Sequence, residues 1–285
     1  MIQNLKYRLC EVFGIPLYLD FSLIFLLLFF IFSGGGIHEG IVCAAILLFS
    51  IAAHELGHAL TARAFGYPTR DITLSLLGGC ASLVAMPRKA WQEFLTAFAG
   101  PGVSFILASI GALGISLVAV EGNFFDALGY VVSDALGSFR IRVDLGGDLA
   151  FSRDDMVLVS TLFYLSVMNM MLGIFNLLPG FPMDGGRIFR SVMVPVVGRV
   201  KATYYAMIVG RGFAVVLGIL GAWRIINGLN WGFVTILIAW MIWKEGYREY
   251  MMARMESAWG FDDYRAKASP PPYGGDGSES DIRRD

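Results

Sequence analysis

Six runs of mostly apolar residues, each near the length a helix needs to cross a bilayer, dominate this chain. They lie at about 17–34, 40–65, 92–120, 155–178, 203–226 and 231–247. In hydrocarbon each backbone N–H and C=O must find its partner inside the protein, so these runs are expected as helices of a multi-pass bundle. Composition agrees: 56% of the 285 residues are apolar and only 16% are charged, well outside the range of an ordinary soluble domain. A net charge of −1 leaves no basic surface of the kind nucleic acid requires, so nucleic-acid partners are excluded. Cys10, Cys43 and Cys80 lack CxxC spacing, which argues against a disulfide framework or a cysteine metal site.

Six spans place both termini on one side. Lysine and arginine gather before run 1, between runs 2 and 3, between runs 4 and 5, and after run 6, whereas the connection at 121–154 is acidic. By the basic bias of cytoplasmic loops, both termini are expected in the cytoplasm and the chain in the cell membrane. KYRLCEVFGIPLYLD (residues 6–20) and DITLSLLGGCASLVA (71–85) have short β-prone stretches broken by glycine and proline. They read as short strands that pair, the alternative being irregular interfacial loops. The fold class is therefore an all-α polytopic membrane protein of about six transmembrane helices with a small membrane-associated β-sheet. The connection at 121–154 joins an amphipathic stretch, NFFDALGYVVSDALGSF, to an alternating one, RIRVDL, and reads as a surface-lying excursion. From residue 256 the chain turns to Pro, Gly, Ser and Asp and is expected as a disordered cytoplasmic tail, leaving one domain over 1–250.

The second run contains AAHELGHAL, residues 52–60, with three ionisable groups where each needs a partner. On a helix His54 and His58 stand one turn apart on the same face, a spacing that lets two imidazoles meet one Zn²⁺. Glu55, rotated by about 100°, can reach a water at the metal without being a ligand, as in HExxH metalloproteases. Gly57 lets another helix or loop come close. A dication supplies the compensating charge that chance occurrence of the motif would not explain.

A catalytic zinc takes three protein ligands and keeps one position open. His38, the remaining histidine, is sixteen residues before His54, about 24 Å away along a straight helix. FNLLPGFPMDGGRIFR (175–190) offers a carboxylate instead. Pro179, Gly180 and Pro182 end the fourth run, so this segment must be sheltered by protein or line a wet cavity. Asp184 sits at its tip; it caps a helix starting at Gly185, pairs with Arg187 at the interface, or serves as the ligand, and the missing third ligand favours the last. Asn176 reads as a donor to the oxyanion of a reacting carbonyl, or as a helix–helix hydrogen bond, a role that suits the deeper Asn169 better. Arg211, in MIVGRGFAVV, either snorkels to the cytoplasmic interface or serves a polar cavity; snorkelling is the expectation.

HELGH in an apolar span, LLGGCASLVAMP after it, FAGPGVSFILA at 98–108 and FNLLPGFPMDGGR at the end of the fourth span together resemble the site-2 protease family of intramembrane zinc metalloproteases. The resemblance covers about residues 7–250. It implies a three-helix catalytic core at about 40–190, one catalytic Zn²⁺ held by His54, His58 and Asp184, Glu55 as general base and acid, and Asn176 near the reacting carbonyl. It also implies a transmembrane protein substrate, often trimmed first by another protease, and a small sheet whose edge receives the unwound substrate. The chain resembles the form without PDZ or CBS modules, so regulation by these is not expected. Two other readings are a membrane metal transporter, against which the single ligand cluster argues, and a catalytically silent client-binding relative, against which the intact Glu55 argues.

Overall fold

The computed structural model describes residues 6–21, 23–24, 27–28, 31, 37–75, 78–83, 87, 89–119, 123–137, 156–228 and 232–258. Strands β1 (Lys6–Val12) and β2 (Ile15–Asp20) form a hairpin whose turn residues, Phe13 and Gly14, both adopt positive φ, the geometry that matches strand twist in a two-residue turn. Helix α1 (Ile37–Ala64) follows, then β3 (Thr69–Ser75) and β4 (Gly78–Leu83). The sheet order is β1-β2-β3-β4, with β2 and β3 parallel and the outer pairs antiparallel. The parallel pairing is possible because α1 lies between β2 and β3 in the chain. Ile15, Leu17, Ile72 and Leu74 from the sheet interlock with Ile51 and Ala59 of α1, which seats the sheet on the helix that carries HELGH.

The remaining elements are helices α2 (Ala90–Val118), α3 (Phe124–Gly137), α4 (Met156–Asn176), α5 (Asp184–Val197), α6 (Arg199–Ile226) and α7 (Gly232–Ala258). A second apolar cluster joins α2, α3 and α4 through Ala108, Ala112, Ile115, Ala127, Val131, Phe163 and Val167. The amphipathic stretch expected on the surface is thus α3, packed into the bundle through Ala127 and Val131. Its start is capped reciprocally: Asn123 Oδ1 accepts from the Phe125 and Asp126 amides, and Asp126 Oδ2 accepts from the Asn123 amide. RIRVDL lies outside the described residues.

Among the described residues, four helices are long and apolar enough to cross a membrane: Ile37–Ala64, Ala90–Val118, Val157–Asn176 and Arg199–Ile226. These are the second to fifth expected spans. The first expected span overlaps β2 up to Asp20, and most of the rest of it lies outside the described residues. The sixth is helical as α7, but Lys244, Glu245, Arg248 and Glu249 make its second half too polar for a span by composition. The four qualifying helices make this an integral membrane protein with a site-carrying helical bundle and a small sheet. The helix running to Ala258 also overruns the start expected for the tail, whose residues 259–285 lie outside the described set.

Candidate metal centre

The site is assembled from three helices. On α1, His54 and His58 stand one turn apart with ring centroids separated by 4.8 Å, the rings nearly perpendicular. Asp184, the first residue of α5, reaches between them: its Oδ2 lies 3.1 Å from His54 Nε2 and 3.0 Å from His58 Nε2. All three residues are buried, and their ligand atoms fall within 4.8 Å of one another. The α4–α5 connection makes this approach possible because chain direction changes over Leu177–Met183, with Phe181 buried beneath it. A side chain at Gly185 would run into the Leu177 and Leu178 carbonyls, so the carboxylate can sit here only with glycine behind it.

Helix α2 orients both imidazoles. His58 Nδ1 donates to the Thr96 carbonyl at 2.7 Å, and His54 Nδ1 lies 2.9 Å from Ser104 Oγ. Donation from Nδ1 leaves the Nε2 of a neutral ring as a lone pair, and here that lone pair faces a carboxylate oxygen. Such an arrangement is repulsive unless positive charge lies between the groups, either as protons or as a cation. Two imidazole nitrogens and one carboxylate oxygen are the donor set of a zinc site that keeps a fourth position open, so the residues fit the metal expected from the sequence.

Gly100 completes the pocket. A Cβ there would collide with Nε2 and Cε1 of His58 and would crowd His54 Nε2, so only glycine leaves room at the ligand atoms. Gly57 has the neighbour expected for it: a Cβ would meet the Ala99 carbonyl and Val103 at 2.9 Å, which brings α2 close against α1. Glu55 is buried beside the ligands, 6% exposed, and no hydrogen bond or ion pair engages its carboxylate among the described residues.

These positions match a known family over most of the chain. Residues 42–219, which include both histidines and the aspartate, match Peptidase family M50. The chain belongs to this family, the site-2 proteases. A zinc metalloprotease of Methanocaldococcus jannaschii is 31% identical over 269 residues, covering 93% of this chain and 66% of its own length. A relative from Synechocystis sp. is 32% identical over 256 residues, covering 84% of this chain and 58% of its own. The chain thus spans only about three fifths of the length of these relatives. In three dimensions it is similar to a site-2 protease from Methanocaldococcus jannaschii, with a TM-score of 0.57, 26% identity and coverage of 86% of this chain and 95% of that one.

Within this site-2 protease fold the other sequence candidates fall in different places. Asn169 donates to Ser50 Oγ at 2.8 Å and so ties α4 to α1, the helix–helix role expected of it. Asn176, the last residue of α4, donates to the Leu172 carbonyl of its own helix at 2.9 Å, and among the described residues no hydrogen bond joins it to the histidines or Asp184. The Arg211 guanidinium lies over the rings of Trp243 and Tyr247 on α7, 4.6 and 5.5 Å from their centroids. Sequence reasoning missed Thr96, Gly100 and Ser104. Their spacing of four is a stripe of small or polar residues on one face of an apolar helix, and that was the available signal.

Proposed function

We propose that the chain is an intramembrane endopeptidase whose His54, His58 and Asp184 hold one catalytic Zn²⁺ and whose Glu55 transfers protons. The observation that carries this reading is the meeting of two imidazole Nε2 atoms at one buried carboxylate oxygen, with a buried glutamate beside them that has no hydrogen-bond partner among the described residues. Zinc, when bound, acts as a Lewis acid that activates water and polarises a carbonyl. Glu55 accepts the proton of the attacking water and returns it to the leaving amine. Thr96 and Ser104 keep both rings turned so that Nε2, not Nδ1, faces the reacting centre. Asn176, at the mouth of the α4–α5 connection, donates to the carbonyl oxygen after giving up its intrahelical bond to Leu172.

The substrate we infer is a transmembrane segment of another protein, trimmed beforehand by a separate protease on the outer side. Support comes from the setting: His58 is six residues from the C-terminal end of α1, about 9 Å, so the centre lies nearer one membrane face. Arg63 and Arg70 follow at that face, which accords with a cytoplasmic position in the cell membrane and with both termini on that side. The sheet is seated on α1 through its inner strands β2 and β3, and its edges offer main-chain partners to a substrate helix that has unwound.

The decisive experiment replaces Glu55 by Gln in the full chain, co-expressed with a membrane-protein substrate. Zinc content should remain at the wild-type level while cleavage disappears. Full cleavage by the variant refutes the assignment of Glu55. Metal flux into vesicles in place of cleavage would identify a transporter.

A further inference from the structure

The mechanism leaves unused a buried charged cluster that crosses four helices. Glu93 of α2 accepts from Arg190 Nε at 2.8 Å, and the same carboxylate oxygen lies 2.6 Å from Arg190 Nη2. Its other oxygen pairs with Arg199 of α6 at 3.3 Å, while Arg190 Nη1 reaches Glu249 of α7 at 3.2 Å. The Arg190 and Glu93 side chains are only 3% and 4% exposed. A buried pair of this kind is weak evidence for stability, because well-packed apolar residues often serve a core as well or better. What it supplies is direction: the planar guanidinium fixes distance and angle together.

Both partners are one step from metal ligands. Glu93 is one helical turn before Thr96, whose carbonyl holds His58. Arg190 follows Asp184 on the same short helix, and its guanidinium also lies over the ring of Phe181, 5.0 Å from the centroid. Phe181 is three residues before Asp184 and is buried. One side chain therefore grips the loop before the carboxylate, the helix after it, and the helix that orients the imidazoles.

We propose that Arg190 is a positioning residue: held by Glu93 and Glu249 and stacked on Phe181, it sets Asp184 against the two imidazoles and makes the metal geometry depend on docking of the α6–α7 hairpin. This rests on the metal-site reading above. Glu249 and Arg199 are the hairpin's handles, since both reach the same pair from the hairpin side.

The test uses the full chain in detergent or nanodiscs with zinc and cobalt as the probes. Arg190→Lys keeps the charge but loses the planar fork. It should weaken zinc binding by about 10–100-fold in chelator competition and alter the visible bands of the cobalt-substituted protein, with helix content unchanged. Glu249→Gln, at a partly exposed carboxylate, should shift both in the same direction by less. A merely structural role moves the melting temperature but not the cobalt spectrum. Folded Arg190→Lys with wild-type zinc affinity and cobalt bands overturns the proposal. If that variant does not fold, unchanged metal readouts in Glu249→Gln overturn it. Failure of the wild-type chain to bind either metal is a separate result, which removes the metal-site reading and this inference with it.

Discussion

The α1–α2–α4 bundle and the α6–α7 hairpin are both apolar helices in the same membrane protein, yet they bury opposite things. The bundle encloses Ser50, His54, Glu55, His58, Thr96, Ser104 and Asn169, all 7% exposed or less. The hairpin's interior is made mainly of small groups, Ala202, Ala206, Gly210, Ala214, Gly221 and Gly232, while Phe213, Ile219, Trp223, Ile226, Phe233 and Trp240 face outward. Lipid tails are as apolar as leucine, so burying apolar side chains gives helices little reason to associate in a bilayer. Close backbone contact and internal hydrogen bonding must do that instead. The bundle adds interhelical hydrogen bonds to close approaches such as Gly57 against Ala99, and so creates a polar interior able to host chemistry. The hairpin uses close approach: Gly221 and Gly232 meet where any side chain would clash, and Gly210 meets Gly180 of the α4–α5 connection in the same manner.

This contrast can be broken most severely at the ligands. Asp184→Ala or His58→Ala should abolish zinc retention and reduce proteolysis to background, measured as metal content and cleaved substrate in the same preparation. Gly100→Ala should come close to that result, because its methyl group occupies the space of the ligand nitrogens; zinc content should fall although no ligand has been changed. Ser104→Ala is milder. Loss of the partner of His54 Nδ1 should cost about 10-fold in metal affinity or activity, read from chelator competition. Asn169→Ala removes an interhelical hydrogen bond of the bundle and should lower its unfolding free energy by about 0.6–2 kcal/mol in detergent, with the metal still bound. On the hairpin, Ile226→Ala, at a side chain 83% exposed, should leave both stability and zinc affinity within about 0.5 kcal/mol of wild type.

Acidification sharpens the same distinction. Both histidines must be neutral and Asp184 ionised to hold a metal, so zinc should be released as pH falls while the helices of both regions stay folded. Zinc content and circular dichroism followed in one titration would check this. Loss of helix before loss of zinc would show that the metal is not confined to the bundle.

HELGH was legible because both histidines lie on one turn of one helix, and helical spacing alone predicts that they meet. That Asp184 would come beside the histidines was expected by elimination, since a three-ligand reading called for a residue from the helix-breaking segment after the fourth run, and its carboxylate does meet both rings. The paired strands were readable from glycine-punctuated β-prone stretches, whereas the six-span count exceeded the four helices that qualify among the described residues. Thr96 contributes a main-chain carbonyl, which has no residue-type signature. Glu93 and Arg190 are 97 residues apart and look, in one dimension, like ordinary interfacial charges.

The amino-acid order alone determined the solvent, the helical run that carries the two imidazoles and the glutamate, and the chemistry those groups favour, because these depend on hydropathy and on periodicity within a few turns. Only the tertiary structure decided which atom of each ring faces Asp184, that Gly100 clears the space beside them, and that an arginine pairs with Glu93 and Glu249 at once. Those facts depend on distances between helices remote in the chain, which are set by how whole faces pack and not by any local run of residues.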